Sequence, residues 1–184
     1  ESNILQKLNQ KLTHIDIELT ERCNNACVHC YINLSQHDNE ARSKELNTKE
    51  IKQILQQAAD LGCLRVRFTG GEPLLRNDFD ELYIFAKKLG MKVIVFTNAT
   101  LIDNERVQLF QKYKPGAPVE VSVYGMTQET YEAVSRLKGS FDAAFRGITL
   151  LQENDIPFIV KSSFLPQNKA DVELFENWAA ALPG

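Results

Sequence analysis

The sequence predicts an α/β fold, a partial (β/α) barrel of parallel strands holding about five βα units. Three observations lead there. Strand-like and helix-like patterns alternate from His14 onward, and such alternation builds a parallel sheet with right-handed helical crossovers. Most strand segments are short and β-branched, as expected where both faces of a sheet are covered. The residues able to do chemistry cluster just after strands. A doubly wound sheet also fits the alternation, but in a β/α barrel those loops converge on one face, which favours the barrel. A complete eight-unit barrel takes about 250 residues, so 184 residues supply a partial one.

A polar lead-in, residues 1–13, precedes a first strand in His14–Leu19, where polar and apolar residues alternate. The stretch Ser35–Lys44 has no periodicity. Asn47 then opens a helix, with Glu50 placed to complete a capping box. Ile51, Ile54, Leu55 and Ala58 share its apolar face, and Gly62 ends it. Leu64–Phe68 is the second strand. A helix follows Asn77 or Asp78 and carries Phe79, Leu82, Phe85 and Leu89. Lys92–Phe96 is strand three, and Asp103 opens the helix of Val107 and Phe110. Val119–Val123 is strand four. Two helical pieces follow, one from Thr127 and one capped by Ser140. Pro157–Lys161 is strand five, and Asn168 is expected to cap a last helix running to about Ala181.

Apolar and charged fractions of 43% and 24% are those of an ordinary globular domain. A net charge of -3 leaves no basic footprint for nucleic acid. No apolar run reaches membrane-spanning length, and no signal-peptide pattern opens the chain. The chain begins at Glu1 rather than Met, which points to a trimmed start. Of four cysteines, three lie within eight residues, in Cys23-Asn-Asn-Ala-Cys27-Val-His-Cys30. That crowding suits a reducing, cytoplasmic compartment and a metal or redox site better than disulfides. Cys63, between Leu61 and Leu64, reads as core. From the spacing alone, zinc with His29, His37 or His14 as fourth ligand remains open. So does a four-iron cluster left one thiolate short.

Cys23-x3-Cys27-x2-Cys30, with aromatic His29 before the last cysteine, resembles the signature of the radical S-adenosylmethionine (SAM) superfamily. Thr69-Gly70-Gly71-Glu72-Pro73, at the end of strand two, resembles that superfamily's GGEP motif. Weaker likenesses follow in order. Thr97-Asn98-Ala99-Thr100 matches a TNG-type strand end, with Ala99 where the family more often has Gly. Ser122 matches a serine of strand four. The cysteine loop, the GGEP and the Lys138-Gly139-Ser140-Phe141 helix start are similar to the SPASM/twitch branch, whose members modify peptides or build peptide-derived cofactors.

The resemblance implies a radical SAM enzyme core over residues 14–184, ending before the last strand and before any C-terminal auxiliary-cluster domain. It implies that Cys23, Cys27 and Cys30 hold a [4Fe-4S] cluster whose open iron chelates SAM. The amino group of SAM would lie at Gly70, Gly71, Glu72 and Pro73, since adjacent glycines admit an ammonium close to backbone carbonyls. Ser122, Asn98 and Tyr31 join the cofactor site, with Arg136 at the carboxylate and Leu165 at the adenine. Lys161, Ser162 and Ser163 either face the cofactor or simply end a strand. Implied further are reductive cleavage of SAM to a hydrogen-abstracting 5'-deoxyadenosyl radical, an electron donor such as flavodoxin or ferredoxin, and a peptide or protein substrate. Residues acting on the substrate are not named by any motif. Peptide maturation, sulfatase maturation and haem-type side-chain chemistry share all of these motifs. The rival readings are a zinc-bound structural module and a radical-SAM-like scaffold without chemistry.

Overall fold

The computed structural model describes residues 12–32 and 34–182; most of the lead-in, up to Lys11, lies outside them. In chain order come β1 (His14–Thr20), β2 (Arg22–Cys23), β3 (Leu34–Ser35), α1 (Asn39–Lys44) and α2 (Thr48–Asp60). Then follow β4 (Arg65–Gly70), a 3-10 turn (Pro73–Leu75), α3 (Phe79–Lys88), β5 (Lys92–Thr97) and α4 (Asn104–Lys112). The rest is β6 (Val119–Ser122), α5 (Gln128–Ser135), α6 (Ser140–Glu153), β7 (Phe158–Lys161), a 3-10 turn (Lys169–Asp171) and α7 (Val172–Ala180).

Five strands form one sheet in the order β1-β4-β5-β6-β7, every neighbouring pair parallel. Spatial order thus equals chain order, which is how a β/α barrel grows. Ile17 lies beside Phe68, Phe68 beside Val95, and Ser122 beside Lys161. The strand and helix expectations hold to within about two residues, the usual scatter of element ends. The capping box at Asn47 is formed, its side chain accepting from Lys49 and Glu50 amides while Glu50 accepts from Asn47 N–H.

The helix-facing side of the sheet is the core. Val66, Phe68, Val93, Val95, Val119 and Val121 are fully buried against Leu55, Phe79, Tyr83, Phe110 and Leu151 of the helices. The opposite, concave side departs from the expectation of two covered faces. Because side chains alternate along a strand, it collects Asp16, Arg67, Glu120 and Lys161. Arg67 pairs with Asp16 and with Glu120 at 3.4 Å each, and Lys161 pairs with Glu120 at 2.8 Å. An open partial barrel presents a polar, groove-like interior, and the charges pair across strands, although Arg67 Nε and Glu120 Oε2 make no hydrogen bond among the described residues.

Three local expectations are corrected. Ser35–Lys44 contains α1, a single short helix begun by Asp38, whose side chain accepts from Ala41 N–H. Ser140 is the first residue of α6 rather than its cap; Gly139 precedes it in the left-handed conformation, and the Ser140 hydroxyl meets that of Ser135 at 2.7 Å. Asn168 does not cap α7. Its amide donates to the carbonyls of Tyr124 and Ser163 and accepts from Leu165 N–H, so it ties the β7–α7 loop to the end of β6. Among the described residues, no helix is long and apolar enough to cross a membrane.

Candidate active site

The site is assembled from loops that follow strands. β1 ends with a register shift between Glu18 and Thr20, and the chain swings into the cysteine loop. Arg22 anchors that swing from a buried position. Its Nε donates to Glu45 at 2.7 Å and its Nη1 to the carbonyl of Gln36 at 2.9 Å. Arg76 braces the same carboxylate at 3.6 Å and also donates to the carbonyls of Leu19 and Leu46. Burial alone would raise the Glu45 carboxyl; Arg22, Thr20 and Arg76 outweigh it and hold it below the usual carboxylate range. The far side of the loop is fixed to the end of α5, Ala26 N–H donating to Ser135 and Val28 N–H to Val134, both at 2.9 Å.

Held in this way, Cys23, Cys27 and Cys30 line a single cavity of about 460 Å³, within the size range of small-ligand sites. Burial pushes the Cys23 thiol up to about 12 and the Cys27 thiol to about 11, against partial relief from Asn25 N–H and from the Tyr124 hydroxyl. Thiols in that state ionise when a metal takes the place of the proton. Among the described residues, no three His, Cys, Asp or Glu side chains converge on one metal-ion position. That is not the donor set of a tetrahedral zinc site. A cluster takes each thiolate at a different iron, so its ligands need not meet at one point. Three thiols spread round one cavity fit such a group. Asn25 fits it too: it is 4% exposed, lines the cavity, and its amide atoms find no partner among the described residues. Cys63 is core, its Sγ donating to the Arg65 carbonyl at 3.1 Å.

The end of β4 packs directly under the cysteine loop. Gly71 N–H donates to Thr20 at 2.7 Å and Glu72 N–H to Arg22 at 2.9 Å. A Cβ at Gly70 would strike the carbonyl oxygen of Thr20, and one at Gly71 that of Arg22. Gly70 also holds φ at +124°. Both glycines are therefore required by the chain's own packing, besides forming the cavity edge. Glu72 is completely buried beneath them. Its carboxyl accepts from Leu74 N–H (3.1 Å), the Thr97 hydroxyl (2.7 Å) and Asn98 N–H (2.8 Å). Burial still dominates and raises its pKa to about 7, with those donors and Arg106 pulling the other way.

Of the residues singled out in the sequence, the structure brings Cys23, Cys27, Cys30, Tyr31, Gly70, Gly71, Asn98 and Ser122 to this cavity. Tyr31 stands at its rim, 85% exposed, its hydroxyl donating to Glu18 at 2.7 Å. Glu72 and Pro73 lie buried behind the wall and do not line it. Arg136 is exposed and left-handed at the end of α5, and Leu165 is occupied with Asn168; neither lines the cavity. Lys161, Ser162 and Ser163 do line it. Sequence reasoning passed over Asn24, Asn25 and Thr100. Their signal was the pair Asn24-Asn25 and the Thr97-Asn98-Ala99-Thr100 strand end, which is polar except at Ala99.

A parallel sheet grown strand by strand, with three thiols and a paired glycine at the strand ends, is a partial β/α barrel with its polar and thiol groups gathered at one face. The sequence matches the Radical SAM superfamily over residues 17–179, and the chain belongs to that superfamily of enzymes. It is 35% identical over 171 residues to Fe-coproporphyrin III synthase of Methanosarcina barkeri, covering 93% of this chain and 42% of that protein. It is 32% identical over 162 residues to the antilisterial bacteriocin subtilosin biosynthesis protein AlbA of Bacillus subtilis, covering 86% of this chain and 35% of that protein. The chain thus spans less than half the length of these relatives. In fold it is similar to Streptococcus suis SuiB, solved bound to the precursor peptide SuiA, with a TM-score of 0.79 and 22% identity over 96% of this chain and 39% of that one. Its relatives include proteins of the peptide-modifying SPASM/twitch branch.

Proposed function

We propose that this chain is the catalytic core of a radical SAM enzyme, binding a [4Fe-4S] cluster at Cys23, Cys27 and Cys30 and SAM beside it. The observation that carries the reading is that three thiols, and only three of the four cysteines, share one cavity with the glycine-edged end of β4. With both cofactors bound, they supply one-electron cleavage of SAM to a 5'-deoxyadenosyl radical that abstracts hydrogen from the substrate.

The chain's own part is to bind, orient and keep water away. Gly70 and Gly71 offer backbone carbonyls to the amino group of SAM at a place where no side chain intervenes. Glu72 serves that turn from behind: with its carboxyl taken up by Leu74, Thr97 and Asn98, it holds the strand ends together. Ser122 presents its hydroxyl to the ribose and carboxylate, while the Asn98 side chain, which also lines the cavity, is taken up by Asn24, Thr100 and Cys23. Phe96 and Tyr124 give the cavity apolar wall area, and Tyr31 closes its outer rim. Electrons come from a low-potential carrier of the flavodoxin or ferredoxin kind.

The substrate in this reading is a peptide or protein, supported by the relationship to AlbA and the fold shared with SuiB. A tetrapyrrole is the second reading, favoured by the 35% identity to Fe-coproporphyrin III synthase. Anaerobic reconstitution with iron and sulfide tests the core claim. A brown protein with four irons, which forms 5'-deoxyadenosine from SAM under reduction, is the expected result, and Cys23→Ala abolishes both. A colourless protein carrying one zinc overturns it; an intact cluster that never yields 5'-deoxyadenosine leaves a scaffold. Stimulation of that yield by a tetrapyrrole rather than by peptides selects the second substrate.

A further inference from the structure

Behind Cys23, three side chains from two distant loops close a hydrogen-bonded ring. Asn98 Nδ2 donates to Asn24 Oδ1 at 2.9 Å, Asn24 Nδ2 donates to Thr100 Oγ1 at 2.7 Å, and the Thr100 hydroxyl donates to Asn98 Oδ1 at 2.6 Å. The direction of this ring is not free. Thr100 N–H, which can only donate, also points at Asn98 Oδ1 at 3.0 Å, so that end of the amide must be oxygen and the other end the NH₂ group. One N–H of that group is used on Asn24. The other is directed at the Cys23 sulfur, with Nδ2 and Sγ 3.8 Å apart. Asn25 N–H approaches the same sulfur at 3.4 Å. Asn98 and Thr100 are 6% and 8% exposed, so their ends of these bonds are shielded from bulk water.

We propose that Asn98 is a positioning residue that sets the reduction potential of the cluster through Cys23, its amide locked in place by Asn24 and Thr100. This rests on the reading that Cys23 is a cluster ligand. Donors to a ligating sulfur withdraw charge from it, and the reduced cluster, carrying one more negative charge, gains more from them than the oxidised one. The Asn98 amide therefore eases one-electron reduction by an external low-potential donor. A single hydrogen bond to a charged acceptor is worth about a tenfold change in an equilibrium constant. The ring also explains why an asparagine serves here. Only an amide accepts from Thr100 at one end while offering two N–H groups, one to Asn24 and one to sulfur, at the other.

The test is a potentiometric titration of the reconstituted protein without SAM, followed by the electron paramagnetic resonance signal of the reduced cluster. Asn98→Leu keeps four irons per chain and lowers the midpoint by about a tenfold loss in the reduction equilibrium, 59 mV for one electron. Thr100→Val removes the hydroxyl that closes the ring but keeps the backbone N–H on Asn98 Oδ1, so it loosens the amide without turning it and lowers the midpoint in the same direction by about threefold. Midpoints of both variants within twofold of the wild type overturn the proposal while leaving the cluster assignment standing. Should Asn98→Leu fail to hold a cluster, Thr100→Val alone decides. A wild-type protein that takes up no four-iron cluster fails at the earlier step, and the assignment of Cys23 falls together with this inference.

Discussion

The cavity has two unlike walls. The wall built by the cysteine loop, the end of β4 and the end of β5 is buried and densely wired: Arg22, Asn25, Glu72, Thr97, Asn98 and Thr100 are all less than 9% exposed. The wall built by β7 and the segment after it is open. Lys161, Ser163 and Phe164 are exposed there, and the loop is pinned by side-chain bonds of Asn168 and, at its far end, of Asp171 to Met126 N–H and the Thr130 hydroxyl. Under the proposed function the difference separates two tasks. A wall that holds an inorganic cluster and one invariant small molecule gains from rigidity, because each donor must meet a fixed atom. A wall that meets the substrate gains from being replaceable, and loops with few buried contacts tolerate change.

The largest effect should come from filling the close approach on the rigid wall. Gly71→Ala drives a methyl group into the carbonyl of Arg22, which is backbone and cannot step aside. Overpacking of this kind costs about 3 kcal/mol or more. Thermal or urea unfolding of the cluster-free chain will show it, whereas Ser163→Ala on the open wall stays within about 0.5 kcal/mol. Equal losses at the two positions would erase the distinction between the walls.

Glu72 gives a pH-dependent version of the same contrast. With its pKa raised to about 7 by burial, the folded chain keeps a proton that the unfolded chain has already released above its ordinary value of 4.5. The folded state binds more protons in that window, so stability falls as pH rises from about 4.5 to about 7, by on the order of 3 kcal/mol for this group. Below that window Glu45 and Asp78, both held low despite their burial, by Arg22 and Arg76 respectively, act with the opposite sign. The measurement is the urea midpoint against pH for wild type and Glu72→Gln. The expected result is a downward slope between pH 4.5 and 7 in the wild type that the variant lacks; parallel curves would show that Glu72 stays ionised.

These two walls were not equally legible in the sequence. The cysteine triad and the Gly-Gly pair stood out because each is local: three thiols fall within eight residues, and strand ends fix where they converge. The strand-helix rhythm was readable for the same reason, since every βα unit is closed by its own apolar periodicity. What could not be read joins distant segments. Asn24 and Thr100 lie 76 positions apart and Arg22 and Glu45 23 apart, and each residue alone resembles an ordinary turn or surface charge. Arg136 shows the converse. The family resemblance suggested it, but the helix ends there in a left-handed turn that leaves its side chain in solvent. The glycines of β4 carry a second meaning that no motif records, since the cysteine-loop backbone already excludes a side chain at either position.

Ala99 supplies the finest test of how tightly the rigid wall is drawn. It holds φ at +62° although it has a side chain, a conformation that costs a non-glycine residue roughly 1–2 kcal/mol. It is fully buried, and its carbonyl sits where Gly147 leaves room for it. Replacing it by glycine removes that strain but loses a buried methyl, worth about 0.8 kcal/mol, and loosens the unfolded chain by a comparable amount. The terms nearly cancel, so Ala99→Gly should change stability by no more than about 0.5 kcal/mol. Ala86→Gly, equally buried but in the last turn of α3, recovers no strain and loses up to about 1 kcal/mol of helix propensity besides the methyl. Denaturant unfolding of the two variants side by side measures the gap. If Ala99→Gly costs as much as Ala86→Gly, the turn carries no strain, and the Asn98 amide beside it is held by its hydrogen-bonded ring alone.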